Sequence, residues 1–278
     1  MPFRLTDVVR QHTSHDGLVA LTFDGRSTTY AELDRRAGLA ARAMAADGLG
    51  AGARVVWLGK NRPEFFDLLF GAPRVRAATA PLNNRLTVDE LIAIMEDSAA
   101  PLVVLGPEVA ELRERVEGLE AVRRVLVVGE DYEGWLTASD EVLDPPDDAE
   151  DGDCVLQLYT SGTTGLPKGV VLTHTQFSAL LSVGDHWSFD TESVALVAMP
   201  LFHIGGSGFA LVCFSFGARV VLVADIVPDQ LLATMADEGV TNTFLVPAVL
   251  QFLVQVPGAA DRDWSKLRSI AYGASPIT

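Results

Sequence analysis

The sequence has 278 residues, 49% of them hydrophobic and 21% charged, which suits a globular chain of one large domain or two smaller ones and excludes a disordered or fibrous one. A formal net charge of −16 argues against nucleic acid and anionic membranes as partners, since both need a basic footprint, and leaves a small anionic ligand only where positive groups gather locally. Cys154 and Cys213 lie in separate apolar runs without CxxC spacing and read as reduced, buried thiols of a cytoplasmic protein, and the N-terminus lacks the apolar stretch of a signal peptide.

Strand-like and helix-like segments then alternate. "TYAELDRRAGLAARAMAA" predicts a helix: Thr29 and Glu32 form a capping-box pattern, and Leu33, Ala37, Ala40 and Met44 make one apolar stripe. "RVVWLG" is a short apolar run bounded by glycine, hence a buried strand. "TVDELIAIMEDS" predicts a helix capped by Thr87, with Glu90 three residues on. "PLVVLG" and "RVLVVG" predict two more buried strands, with a helix "EVAELRERVEGL" between them. Residues 139–153 carry eight acidic side chains, two adjacent prolines and no basic residue, and read as an exposed linker.

After it the pattern resumes. Strands are expected at "CVLQLY", "GVVLTH", "VALVAM", "ARVVLV", "TNTFLV" and "LRSIAYG". Helices are expected at "TQFSALLSVGDHW", "VPDQLLATMADEG" and "PAVLQFLVQV". The nearly uncharged run from Met199 to Ala218 contains Pro200 and several glycines, so it reads as buried core and not as a membrane span. The alternation implies an α/β fold of layered, parallel-rich sheets with helices on both faces. It divides into a first α/β region over 1–150 and a second over 151–278. The second ends on a strand without its covering helix, which points to a truncated domain.

Between "CVLQLY" and "GVVLTH" lies "TSGTTGLPKG". Its lysine is preceded by Pro167 and followed by Gly169, so it is not a Walker A loop. A strand-like run follows its glycines, so no helix N-terminus is available to hold an anion. What the loop offers is donors: hydroxyls on Thr160, Ser161, Thr163 and Thr164, backbone amides freed by Gly162 and Gly165, and the charge of Lys168. Donors without carboxylates suit a polyphosphate. The alternative is a long hairpin loop with no ligand, although a two-residue turn joins hairpin strands at lower entropic cost.

"YTSGTTGLPKGV" resembles the phosphate-binding loop of the adenylate-forming enzymes, the superfamily of acyl-CoA synthetases, aryl-CoA ligases, luciferases and adenylation domains. "PLNNRLTVDEL", "PLFHIGG" and "YGASPIT" are similar to further blocks of that family, and the likeness runs over the whole chain. The resemblance implies the N-terminal large domain of such an enzyme, incomplete. It implies joining of a carboxylic acid to ATP as an acyl-adenylate, with Mg2+, and then transfer to coenzyme A. By resemblance Thr160, Ser161, Gly162, Thr163, Thr164, Gly165 and Lys168 cradle the β- and γ-phosphates, and Thr160 approaches the metal. Lys168 and His203 serve the chemistry. His203, Gly205, Gly206 and Phe209 shape the acyl site, the two glycines leaving room for a sizeable acyl or aryl group. Gly273, Ala274 and Ser275 flank adenine.

"PLFHIGG" holds no aspartate for an α-amine, which favours a plain fatty or aryl acid. Two departures from the family stand out. Pro73 in "GAPRVRAATAPLN" predicts a broken or kinked helix. Asp225 stands where many relatives carry a basic residue near the coenzyme A phosphates. The family's Thr-Glu pair, its ribose-binding aspartate and its small C-terminal domain with the adenylation lysine are not in this sequence, so these residues alone are expected to be inactive. The alternative function is a non-catalytic nucleotide-binding or interaction module that keeps only the loop. A homodimer remains open at this level.

Overall fold

The structure is a computed structural model and describes residues 3–138, 148–160 and 167–276. Most of the acidic stretch 139–153, residues 139–147, lies outside them. The strands are β1 (Val19–Phe23), β2 (Arg26–Thr29), β3 (Arg54–Leu58), β4 (Ala78–Leu82), β5 (Leu102–Leu105), β6 (Arg124–Val127), β7 (Cys154–Thr160), β8 (Lys168–Thr173), β9 (Val194–Val197), β10 (Arg219–Leu222), β11 (Asn242–Leu245) and β12 (Ser269–Tyr272). They form two six-stranded sheets, ordered β6-β5-β3-β4-β7-β8 and β12-β11-β9-β10-β1-β2. Neighbours run parallel except in two hairpins, β1–β2 and β7–β8. The sheets do not divide at residue 150: the first takes strands from 54–173, while residues 19–29 join the second.

The helices are α1 (Asp7–Arg10), α2 (Tyr30–Ala46), α3 (Glu64–Gly71), α4 (Val88–Ser98), α5 (Arg113–Glu117), α6 (Glu130–Thr137), α7 (His174–Leu181), α8 (Ile204–Ser215), α9 (Pro228–Asp237) and α10 (Pro247–Val254). The main core lies between the sheets, where α2, α3 and α8 meet. Phe66 of α3 packs edge-on against Phe214 of α8, with ring centroids 5.1 Å apart. The packing is close enough to require glycine: a Cβ on Gly71 would lie 2.8 Å from the Ala37 carbonyl oxygen of α2. Asp67 is buried under α2, where it accepts from Arg36 at 2.8 Å and from the Tyr132 hydroxyl of α6 at 3.2 Å. Burial pushes its carboxyl up to about 7.

Local chemistry explains where the helices start and stop. Thr87 and Glu90 make a complete capping box on α4. Thr29 makes half of one: its hydroxyl accepts from the Glu32 N–H at 3.1 Å, but the Glu32 carboxylate turns to Arg35. As Pro73 predicts, α3 ends at Gly71 and passes into a 3-10 turn, Ala72–Val75, closed by Arg76 at φ 59°.

The helix expected over 108–119 is broken instead. Glu108 turns back to accept from the Lys60 N–H, Val109 leaves helical geometry, and only Arg113–Glu117 forms an α-helix. The helix expected over 175–187 stops at Leu181. There Ser182 Oγ back-bonds to the Ala179 carbonyl and a 3-10 turn follows. The apolar run after Met199 forms α8, buried from Gly206 to Phe214. Among the described residues no helix is long and apolar enough to cross a membrane. Burial raises the pKa of both free thiols, Cys154 and Cys213.

Candidate functional site

Strand β7 is buried through Leu158 and then emerges, so Tyr159 and Thr160 carry the chain out of the sheet. In the hairpin Tyr159 pairs with Gly169 and Thr160 with Lys168. Thr160 and Lys168, both exposed, therefore face each other at the mouth of the loop, with the Thr160 hydroxyl 3.5 Å from the Lys168 carbonyl. Ser161, Gly162, Thr163, Thr164 and Gly165 lie outside the described residues.

The root below the mouth is braced by side chains. Arg54 donates to Gln157 Oε1, Gln157 Nε2 donates to the Tyr159 hydroxyl at 2.9 Å, and that hydroxyl donates to Asp97 at 2.9 Å. Burial, followed by the Asp97 carboxylate, raises the Tyr159 pKa. Gly169 leaves room for this brace, since a Cβ there would lie 2.3 Å from Gln157 Nε2.

Across from the hairpin, the chain leaves β9 and turns into α8 at His203. Asn61, from the loop after β3, holds this turn. Its amide donates to the carbonyls of Met199 at 3.1 Å and Val223 at 3.0 Å, and its Oδ1 accepts from the Leu201 N–H at 2.9 Å. The carboxyl ends of the two sheets thus meet, the position where open α/β sheets place their ligands. A cleft of about 180 Å3 lies there, lined by Lys60, Asn61, Arg85, Phe202 and Asp225 among others. Asp225 pairs with Lys60 at 2.7 Å.

His203 caps α8 through its backbone, its carbonyl accepting from the N–H groups of Gly206 and Ser207. Its ring packs on Phe202 with centroids 4.6 Å apart. Partial burial, and secondarily the Arg85 guanidinium, hold the imidazole below the usual histidine value, which favours the neutral ring.

The two glycines that follow do not simply open space. A Cβ on Gly206 would lie 2.2 Å from the Pro200 carbonyl oxygen and 2.5 Å from that of Met199, so this glycine permits the turn to close. Gly205 faces Phe244 of β11, whose Cε1 would lie 3.0 Å from a Cβ there. Phe209, one turn along α8, is buried with its ring centroid 6.1 Å from that of Phe244.

Gly273 also faces Phe244, at 3.4 Å from a would-be Cβ. The next residue, Ala274, adopts φ 68°, a left-handed conformation uncommon for a residue with a Cβ. Ser275 is exposed beside it. Gly205, Phe209 and Gly273 are thus gathered around one ring that the sequence reading did not single out. Its one signal was its place near the carboxyl end of a parallel strand. Asn61 gave no sequence signal at all, because its three bonds reach residues about 140 and 160 positions away. Among the described residues no group of three or more His, Cys, Asp or Glu side chains is placed to hold a metal ion.

Comparison with known proteins decides the family, since residues 8–278 match the one described as AMP-binding enzyme. The chain belongs to the AMP-binding enzymes. It is 35% identical over 273 residues to the fatty acid–[acyl-carrier-protein] ligase ScoC of Streptomyces coeruleorubidus, covering 96% of this chain and 52% of that protein. It is 35% identical over 275 residues to a feruloyl-CoA synthase of an Amycolatopsis species, covering 97% of this chain and 54% of that protein.

The inhibitor-bound N-terminal domain of FACL13 from Mycobacterium tuberculosis superposes with a TM-score of 0.92 at 26% identity, covering 99% of this chain and 71% of that one. The two α/β sheets are therefore those of the N-terminal part of an AMP-binding enzyme. The chain spans about half the length of the curated relatives it matches.

Proposed function

We propose that the full-length protein carrying this chain is an ATP-dependent ligase that joins a fatty or aryl carboxylic acid to coenzyme A. In the first step a carboxylate oxygen attacks the α-phosphorus of ATP, the bond to the bridging oxygen breaks and pyrophosphate leaves. In the second the thiol sulfur attacks the acyl carbon, AMP leaves and the thiol proton passes to solvent.

The observation that supports this reading most is the pairing of Thr160 with Lys168 at the mouth of a hydroxyl- and glycine-rich loop. That pairing sets a residue with a hydroxyl opposite one with an ammonium, and acting on one ligand the two groups would offset charge gathering on departing pyrophosphate. Residues 161–165 would complete the phosphate cradle, and the Thr160 hydroxyl would share the phosphates with a magnesium ion. Neutral His203 would orient the acid carboxylate at the start of α8, with Gly205 and Phe209 beside the acyl group. Gly206 would act through the backbone, by fixing the turn. Gly273, Ala274 and Ser275 would border adenine. Two unpaired thiols suit a cytoplasmic location.

The test is acid-dependent pyrophosphate release from ATP across a panel of fatty and aryl acids. A charge-assisted contact is worth roughly 1.5–3 kcal/mol, so Lys168→Ala is expected to lower kcat/KM for ATP by about ten- to a hundredfold. The KM for the acid should move little. A full-length protein inert toward every acid would overturn the ligase reading, and an unchanged Lys168→Ala would remove the lysine from it.

A further inference from the structure

We propose that Asp97, in the last turn of α4, is a positioning residue for the ATP step and acts through the Tyr159 hydroxyl on the Thr160–Lys168 pair; this rests on the ligase reading above.

The pair stands where the sheet supports it least. The ladder from β7 to β4 sets Leu156 opposite Thr79, while the ladder to β8 runs on to Thr160 and Lys168. β8 is the outermost strand of this sheet, with Val170 and Val171 exposed. A two-stranded ribbon is marginally stable by itself in water, so its tip needs other contacts to hold one geometry.

Those contacts lie on one face of β7, where Gln157 and Tyr159 point to the same side. Arg54 of β3 is anchored on the Gly52 carbonyl at 2.6 Å and donates to Gln157 Oε1. Gln157 is buried and donates from Nε2 to the Tyr159 hydroxyl at 2.9 Å, and that hydroxyl donates to Asp97 Oδ2 at 2.9 Å. Chemistry fixes this order. A guanidinium only donates and an ionised carboxylate only accepts, so the glutamine oxygen must face Arg54 and the tyrosine proton must face Asp97. A line that starts on a cation and ends on an anion polarises every bond in it.

Two residues with a local cost serve this line. Gly169 weakens the strand it sits in, but it stands opposite Tyr159, and a Cβ there would lie 2.3 Å from Gln157 Nε2 and 3.2 Å from Tyr159 Cζ. Asp97 sets a negative charge at the C-terminal end of α4, against the helix dipole, in a last turn that holds no basic residue. Its bond to Tyr159 joins α4 to the hairpin tip.

The experiment titrates ATP and AMP into the full-length protein by calorimetry and follows the two half-reactions separately. Asp97→Ala is expected to raise the Kd for ATP by about three- to tenfold, the worth of one hydrogen bond, and to leave the Kd for AMP, which lacks the β- and γ-phosphates, within about twofold. With an acid that the protein uses, pyrophosphate release should slow by about tenfold or more because the reacting groups are misplaced, while thioester formation from the preformed acyl-adenylate stays near wild type. Asp97→Asn keeps an acceptor and should restore ATP binding. Tyr159→Phe should weaken ATP binding at least as much as Asp97→Ala, and adding Asp97→Ala to it should change nothing further, as expected of residues that act as one unit.

Unchanged ATP binding in Asp97→Ala, equal loss of ATP and AMP binding, or full additivity in the double variant would overturn the proposal, as would a wild type that does not bind ATP. If no acid drives pyrophosphate release, the ligase reading fails and the two titrations still decide this one: a loss confined to ATP supports it.

Discussion

At the scale of single residues, Gly206 shows how a motif can be legible while its physical reason is not. "PLFHIGG" marks the glycine as part of the site, and the absence of a side chain suggests space for substrate. The structure gives that absence another cause. The Cβ of an alanine would stand 2.2 Å from one backbone carbonyl oxygen and 2.5 Å from another, and neither belongs to a flexible side chain that can swing away. The turn from β9 to His203 would have to move, together with the Asn61 bonds that hold it.

Gly206→Ala is therefore expected to destabilise the protein by about 1–3 kcal/mol, the usual cost of forcing atoms into packed space. Urea denaturation would measure it, and a change within about 0.5 kcal/mol, as at ordinary surface sites, would show that the turn is looser than it looks. The same limit applies to Phe244 and Asn61. Residue type and spacing expose donors such as Thr160 and Lys168, but not partners that tertiary structure brings from other elements.

At the scale of elements, sequence periodicity located β3, β5 to β12 and most helices, because a short β-branched run or a Thr-x-x-Glu cap acts locally, but it did not mark β1, β2 or β4. It misjudged helix lengths where a distant atom intervened, as when Glu108 abandoned its own helix for the Lys60 N–H. His174 is another such case. It opens α7 at the end of the β8 strand, is 1% exposed, and accepts the Leu5 N–H on Nδ1 at 3.0 Å, while its Nε2 has no hydrogen-bond partner among the described residues. It thereby ties the N-terminal segment to the far end of the β7–β8 hairpin.

Burial, reinforced by the Arg4 charge, lowers its pKa from 6.5 to about 4. Between those two values the unfolded chain binds more protons than the folded one. The His174 contribution is thus fully present above pH 6.5 and is lost as the pH falls toward 4. His174→Asn keeps an acceptor for Leu5 but cannot titrate. Its stability, from urea midpoints, should fall less steeply than that of wild type across this window, and parallel curves would contradict the assignment.

At the scale of the whole molecule, the relation between the sheets was the least legible feature. Alternating strands and helices announce parallel sheets but not which strand joins which sheet, because pairing is decided by contacts far apart in sequence. Residues 19–29 cross to the second sheet, and the hairpin of β7 and β8 completes the first, so the chain passes between the layers twice. A shared core and the bonds of Asn61, itself 5% exposed, join the two sheets further.

Such connectivity predicts one cooperative unit and not two. Trp57 is buried in the first sheet, while Trp264 packs on the core of the second and donates to the Ala259 carbonyl. In variants that keep only one of these tryptophans, fluorescence should give coincident urea midpoints, as two-state unfolding requires. Asn61→Ala strands the Leu201 N–H and two carbonyls. It should lower both midpoints together, at a cost of about 1–3 kcal/mol for buried polar groups left unmade. Midpoints that separate in the parent would mean that the layers unfold independently. If they separate only in Asn61→Ala, this one side chain is what makes the carboxyl ends of the two sheets a single site.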